Sequence, residues 1–288
     1  MYDEYDIVCV LGPTASGKTR YAVDLARRMG AEILSADSRQ VYRGMDIGTG
    51  KDLCEYGDVP YHLIDIADAG EKYDIFRYQR DFEQAYRDIC SRGRRAILCG
   101  GSGLYIEAAC CGYNLPDVPP NPGLRAELER HSDEELIARL ASLKKLHNTT
   151  DYDTRRRLVR ALEIAIYEQE HPVRRSAFLP KNTKFIGINV SREERRERIE
   201  RRLQERLAGG MVDEIKALLE SGISPEELIY YGLEYKFVTR YIIGEITYQQ
   251  MYDSLLVAIR QFAKRQMTWF RGMERRGIEI EWVDPIRS

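Results

Sequence analysis

The sequence predicts an α/β fold, a parallel sheet with helices on both faces, into which a helical subdomain is inserted. Three observations predict it. Short apolar runs alternate with helix-patterned stretches through the first hundred residues, which is the signature of strand–helix–strand units. A glycine-rich loop joins the first strand to the first helix. A long strand-free helical stretch then separates this alternation from a later return of strand signal.

Taken in order, the first strand is Ile7–Leu11, an apolar run that ends at Gly12. After the loop, apolar spacing predicts a helix from Lys18 to Met29. Further strands are expected at 32–34, 62–66 and 96–99, with a helix at 76–90 before the last of them. Pro116, Pro119, Pro120 and Pro122 mark a loop, and 123–170 reads as helix without an intervening strand. Strand signal returns at 184–189, helices follow to about Gly272, and 278–283 alternates like a short final strand. The sheet core is therefore expected to be discontinuous. Residues 1–115 and 180–288 would form it with its C-terminal helices, and 116–179 the inserted subdomain.

With 288 residues the chain has room for one medium domain carrying an insertion, or for two small ones. Its 44 Lys and Arg nearly balance 46 Asp and Glu, so no global basic field points to a nucleic acid. Any RNA site has to come from local clustering of positive charge. The cysteines Cys9, Cys54, Cys90, Cys99, Cys110 and Cys111 form no C-x-x-C pair, and the four histidines lack zinc-finger spacing. Several sit in apolar runs, where a free thiol behaves as a small hydrophobe. A reduced chain without structural zinc is expected. The acidic start lacks a signal-peptide pattern and no apolar run is long enough for a bilayer, so a cytoplasmic protein without membrane contact is expected.

Gly12, Pro13, Thr14, Ala15, Ser16, Gly17, Lys18 and Thr19 match G-x-x-x-x-G-K-[ST], directly after a strand and directly before a helix. The glycines let backbone N–H groups converge on phosphate oxygens, and the helix N-terminus adds partial positive charge. Lys18 would reach the terminal phosphate and the Thr19 hydroxyl would hold Mg²⁺. The core is thus expected to be P-loop NTPase-like. The loop does not say whose phosphate it holds, and a nucleotide kinase or ATPase built on it stays open.

Asp37 follows the second strand at its carboxyl end, the usual place for ligand sites in open parallel sheets. A carboxylate there can take a proton from an incoming nucleophile, or it can simply cap the next turn. Gly100-Gly-Ser-Gly103 follows another strand and offers backbone amides or the Ser102 hydroxyl to the same cleft, although by itself it also reads as a plain strand-to-helix turn.

These segments, with Asp37 to Thr49, Tyr61-His-Leu-Ile-Asp65 and Gly100-Gly-Ser-Gly-Leu-Tyr105, together resemble the tRNA dimethylallyltransferases. The resemblance continues through Arg157-Leu-Val-Arg-Ala-Leu-Glu163, Arg198-Ile-Glu-Arg-Arg202 and Gly210-Met-Val-Asp-Glu-Ile215. It closes on the run from Arg260 to Arg271, and so spans nearly the whole chain in the family's order. It implies that the loop holds the diphosphate of dimethylallyl diphosphate. Asp37 aligns with the general base that deprotonates the exocyclic amine of the adenine 3′-adjacent to the anticodon. Arg202 aligns with the arginine that grips the diphosphate, and Ser102 stands where the family has Thr near the reacting centre. Asp37, Ser38, Arg39, Gln40, Ser102, Arg156, Arg157 and Arg160 match positions that contact the tRNA anticodon loop. Mg²⁺ is the implied cofactor, and the chain is read as a monomer. This chemistry suits the residues, because loss of diphosphate builds negative charge that Lys18, Arg202 and Mg²⁺ offset. The adenine must leave its stack to be reached, at about a few kcal/mol.

Arg155, Arg156, Arg157 and Arg160 read as an unpaired cationic cluster on a helix, an RNA footprint. Arginines in 191–210 are instead interleaved with glutamates, the pattern of surface ion pairs, and only the resemblance singles out Arg202. Phe262, Trp269 and Phe270 are expected in the core, with Lys264 and Arg265 toward the ligand. Four departures from the family stand out: a shortened insertion lacking a stretch before Asp153, Ser102 for Thr, Glu234 for Gly, and Gly50 with Asp52 in place of Ala and Pro around Lys51. The first and third are expected to face RNA, the second and fourth the donor. A shortened insertion also favours a relative that prenylates free adenine nucleotides, while the arginine cluster favours tRNA. A degenerate paralogue that binds RNA without catalysis is disfavoured by intact Lys18, Thr19, Asp37 and Arg202.

Overall fold

The computed structural model describes residues 2–112, 118–144, 152, 154–171 and 180–285. Pro116 and Asp153, both marked in the sequence, lie outside them. Six strands form one parallel sheet: β1 (Ile7–Leu11), β2 (Ala31–Ala36), β3 (Tyr61–His62), β4 (Arg95–Gly100), β5 (Thr183–Ile188) and β6 (Ile280–Val283), in the order β3-β2-β4-β1-β5-β6. Central β1 pairs with β4 from Val8↔Ile97 to Leu11↔Gly100, and with β5 from Ile7↔Thr183 to Leu11↔Gly187.

All five residues of β1 are buried, as a strand covered on both faces requires. Its side chains alternate between two cores. Ile7, Cys9 and Leu11 join the larger one, with α2 (Ile75–Ser91), α3 (Gly103–Cys110) and the C-terminal helices. Val8 and Val10 join the smaller one, against Ala22, Val23, Leu25 and Ala26 of α1 (Lys18–Met29). β3 is shorter than the expected 62–66 strand. Leu63 and Asp65 take positive φ angles of 65° and 56°, a left-handed backbone that cannot continue a ladder.

Contacts divide the chain into two compact units, Met1–Tyr113 with Phe178–Ser288, and Asn114–Ala177. The second has its own core. Leu128 of α4 (Pro122–Leu128) and Leu136 and Leu140 of α5 (Asp133–Leu143) pack on Leu158, Leu162 and Ala165 of α6 (Arg155–Glu170). A Ser132–Glu135 capping box starts α5, and the Thr154 hydroxyl accepts the Arg157 N–H to start α6.

After β5 the first unit continues through α7 (Arg192–Ala208), α8 (Met211–Glu220), α9 (Pro225–Tyr231), α10 (Leu233–Ile242) and α11 (Tyr248–Arg275). A Thr247–Gln250 capping box opens α11, whose 28 residues make it the longest helix described. All six cysteines are free thiols. No described helix is long and apolar enough to cross a membrane.

Candidate active site

Three loops leave the carboxyl edge of the sheet side by side. The phosphate loop follows β1, the Asp37 loop follows β2, and Gly101 with Ser102 follow β4. With one stripe of α7, the start of α10 and the middle of α11 they line a cleft of about 1610 Å³. Of the phosphate-loop residues named from sequence, Thr14 through Thr19 line it. Asp37, Ser38, Arg39, Gln40, Ser102 and Arg202 line the same cleft.

Gly17 enters α1 at φ 84°, which lets the loop turn its backbone inward, and Lys18 and Thr19 open the helix. Ser16 is 1% exposed, and its Oγ has no hydrogen-bond partner among the described residues. Burial lowers the pKa of Lys18, while the Asp37 carboxylate and the Cys99 thiol pull the other way.

Across the cleft, Asp37 Oδ1 accepts the Arg39 N–H at 2.9 Å, so the carboxylate is fixed by its own turn. Asp37 thus caps its own turn, and its side chain also lines the cavity. Ser102 Oγ accepts the Ser38 N–H at 3.1 Å, and the Ser102 N–H donates to Ala36 O at 3.1 Å. Ser102 thus braces the Asp37 loop. Gln40 is likewise internal. It accepts the Ser35 hydroxyl at 3.3 Å and donates Nε2–H to Gly50 O at 3.1 Å. Arg39 lies over the Tyr231 ring, 5.4 Å from its centroid.

Several members of the site escaped the sequence reading. Gln266 of α11 accepts the Thr14 N–H through Oε1 at 2.9 Å and donates Nε2–H to Gly101 O at 2.9 Å, tying two cleft loops together. A signal was present: Ile259, Ala263, Gln266, Phe270 and Met273 form the buried stripe of α11, and an amide on such a stripe asks for partners. Arg198, Arg202 and Arg206 recur every fourth residue and all reach the cleft, so α7 is not merely an ion-paired surface helix. Arg198 donates to Ser16 O at 3.4 Å. Arg202 donates to Gly50 O at 3.3 Å and pairs with the Asp52 carboxylate. Buried Lys51 is held by Tyr42 O at 2.7 Å, by Asp46 at 2.5 Å and by Asp65. Glu214 accepts the N–H groups of Asp46, Ile47 and Gly48.

Some expectations need correction. Glu234, grouped from sequence with the RNA-facing departures, lies in the same cleft as the phosphate loop. It is 9% exposed, lines the cleft and pairs with Arg206 at 3.5 Å. Phe262 lines the cleft, whereas Phe270 is fully buried and Trp269 packs at α3, donating to Glu107 at 2.9 Å. Arg265 faces the cleft, and Lys264 is not among its lining residues.

The arginine cluster of the second unit is not unpaired. Arg155 pairs with Asp133 at 2.6 Å and donates to Leu128 O and His131 O. Arg160 pairs with Glu163 at 2.5 Å and donates to Val118 O at 2.8 Å. Glu163 is an i,i+3 partner on the same helix, whereas packing brings Asp133 and the carbonyls of Leu128, His131 and Val118 in from distant positions that local spacing does not reveal. Arg156 and Arg157 are exposed on the same helix.

The parallel strand order, the phosphate loop at the end of the central strand and the cleft above it define a P-loop NTPase-like α/β protein. Within that class the description "IPP transferase" matches residues 40–273 and "Isopentenyl transferase" matches 5–56. A Parabacteroides distasonis protein named tRNA dimethylallyltransferase 1 is 56% identical over 284 residues, covering 97% of this chain and 92% of its own. The crystal structure of a full-length tRNA isopentenylpyrophosphate transferase from Bacillus halodurans is 34% identical, with a TM-score of 0.71 over 97% of this chain and 90% of its own. A eukaryotic dimethylallyltransferase, described as acting on tRNA, shares the fold at 22% identity with a TM-score of 0.78, covering 96% of this chain and 73% of its own. The chain belongs to the IPP transferase family, the prenyltransferases whose members include the tRNA dimethylallyltransferases.

Proposed function

We propose that the protein transfers a dimethylallyl group from dimethylallyl diphosphate to the exocyclic amine of the adenine 3′-adjacent to the anticodon of a tRNA, releasing diphosphate. The observation that carries this reading is that a phosphate loop and a fixed carboxylate, Asp37, line one cleft. A diphosphate seated on the loop therefore shares a chamber with a base able to receive the amine proton. The N–H groups at the start of α1, Lys18 and Arg202 supply positive charge where the leaving group's negative charge develops. Asp37 has Oδ1 engaged by Arg39 N–H and Oδ2 available for the proton. Ser102 acts here as a positioning residue, holding the Asp37 loop through Ser38.

The donor set suits Mg²⁺. Thr19, which opens α1 beside the phosphate loop, offers a hard hydroxyl oxygen to the cleft. That matches an ion held by one or two protein oxygens together with substrate phosphates and water. When bound, Mg²⁺ supplies further charge neutralisation of the diphosphate. Exposed Arg156 and Arg157 are the proposed tRNA contacts of the helical unit, and Arg39 that of the catalytic unit. Acting as a monomer is part of the same reading.

Labelled dimethylallyl diphosphate with Mg²⁺, offered with unmodified tRNA or with free adenine nucleotides, tests it. Label in tRNA that disappears with Asp37→Ala supports the proposal. Label only in free nucleotide moves the acceptor to adenylate, and ATP consumption without prenyl transfer overturns the reading.

A further inference from the structure

The three departures at Gly50, Asp52 and Glu234 meet at one place. The guanidinium groups of Arg202 and Arg206 converge on Gly50. A Cβ built on that glycine would lie 2.9 Å from Arg202 Nη2 and 1.4 Å from Arg206 Nη2. Two like charges this close each need an anion, and each has one from a different segment. Glu234 faces Arg206 at 3.5 Å, and Asp52 pairs with Arg202. The two pairs differ in character. The side chains of Arg206 and Glu234 are 13% and 12% exposed, a largely buried pair within the cleft wall. Those of Arg202 and Asp52 are 29% and 39% exposed, a pair open to the cavity and to any anion entering it.

We propose that Asp52 is an internal anion that occupies Arg202 until the donor's diphosphate takes its place. The inference rests on the reading of Arg202 as a diphosphate ligand. Without an anion, repulsion from Arg206 would drive the Arg202 side chain into solvent, so Asp52 keeps it parked at the site. On donor binding, Arg202 exchanges one carboxylate for diphosphate oxygens and Asp52 is left beside the new anion. Its charge then opposes the bound diphosphate, weakening retention of that group and speeding its departure as product. Asp52 is in this sense a positioning and release residue that takes no part in bond making.

The test is titration of inorganic pyrophosphate with Mg²⁺ into the full chain, comparing wild type, Asp52→Asn, Arg202→Ala and the double variant. Asn tolerates the left-handed backbone at position 52, where φ is 46°. Asp52→Gly serves as a second variant free of strain. Neutralising Asp52 is expected to tighten pyrophosphate binding by about threefold to tenfold, the range for a partly exposed charge acting on a charged ligand. The gain should shrink in the Arg202→Ala background, where the competition for Arg202 is gone and only direct charge repulsion remains, a coupling that a merely structural role for Asp52 would not produce. Equal or weaker binding by both position-52 variants overturns the inference while leaving the diphosphate site intact. Absence of pyrophosphate binding in the wild type overturns the functional reading itself, and this inference with it.

Discussion

Asp37 illustrates how much a single side chain can be asked to do. Its turn-capping bond fixes the carboxylate through Oδ1, so Asp37→Asn keeps the acceptor and removes only the base. Turnover is expected to fall by about 10²- to 10⁴-fold with pyrophosphate affinity unchanged, read by single-turnover kinetics beside a binding titration. Gln266 makes the complementary case. Gln266→Leu leaves the Thr14 N–H and Gly101 O without their partner, and is expected to destabilise the fold by about 1–3 kcal/mol and to weaken pyrophosphate binding. Thermal melting and the same titration check both effects. Position at a strand end made Asp37 legible from sequence. The ion pair of Asp52 with Arg202 was not, because the two residues come from a loop and a helix 150 positions apart and no periodicity links them.

At the scale of the element, helix periodicity was the dependable signal: Lys18–Met29 is α1 as expected, and the strand-free stretch holds α4, α5 and α6. What periodicity missed was which polar groups the helices bury. Glu163 sits inside the α4–α5–α6 unit with its side chain 1% exposed. Burial alone would raise its pKa, but the Arg125 guanidinium, the Asn121 N–H and the Arg160 guanidinium overcome that and hold it at about 2. Glu32 of β2 is also pulled down to about 2, chiefly by Arg92, with burial opposing and His62 assisting. Both carboxyls are more acidic folded than unfolded. Their stabilisation is therefore complete above their ordinary value of 4.5 and is lost as pH falls toward 2. Glu163→Gln is expected to lower stability at neutral pH by about 1–2 kcal/mol, less than a fully buried pair would lose because Arg125 and Arg160 can rehydrate. The variant's melting temperature should also depend less on pH between 4.5 and 2 than that of the wild type, as circular dichroism melts would record.

For the molecule as a whole, the net charge of −2 means that RNA affinity has to be built locally. Arg155 and Arg160 pair with Asp133 and Glu163, and Arg156 and Arg157 are exposed on the same helix α6. Replacing both with Ala is expected to weaken tRNA binding and to flatten the dependence of log affinity on log salt by about 1–2. Filter binding across a salt series measures this, and an unchanged slope removes the pair from the footprint. The described residues form a sheet unit and a helical unit with separate cores, around β1 in one and around Leu158 and Leu162 in the other, and the strand-free stretch was the sequence signal for the second. The cleft wall was not legible, because it is assembled from α7, α10 and α11, whose order along the chain says nothing of how they face β1.

The Gln266 bridge also has a consequence for how the protein is born. The phosphate loop leaves the ribosome well before α11, since the amide that braces it against Gly101 is translated 252 residues after Thr14. β1 likewise waits for β5, which follows the whole helical unit. That unit is built from local contacts, so it can settle while the sheet is still incomplete. The nascent chain therefore carries a complete phosphate-loop sequence without a braced phosphate site. A cellular diphosphate meeting it mid-synthesis would find a loose loop, and the pocket would gain its grip only as α11 docks.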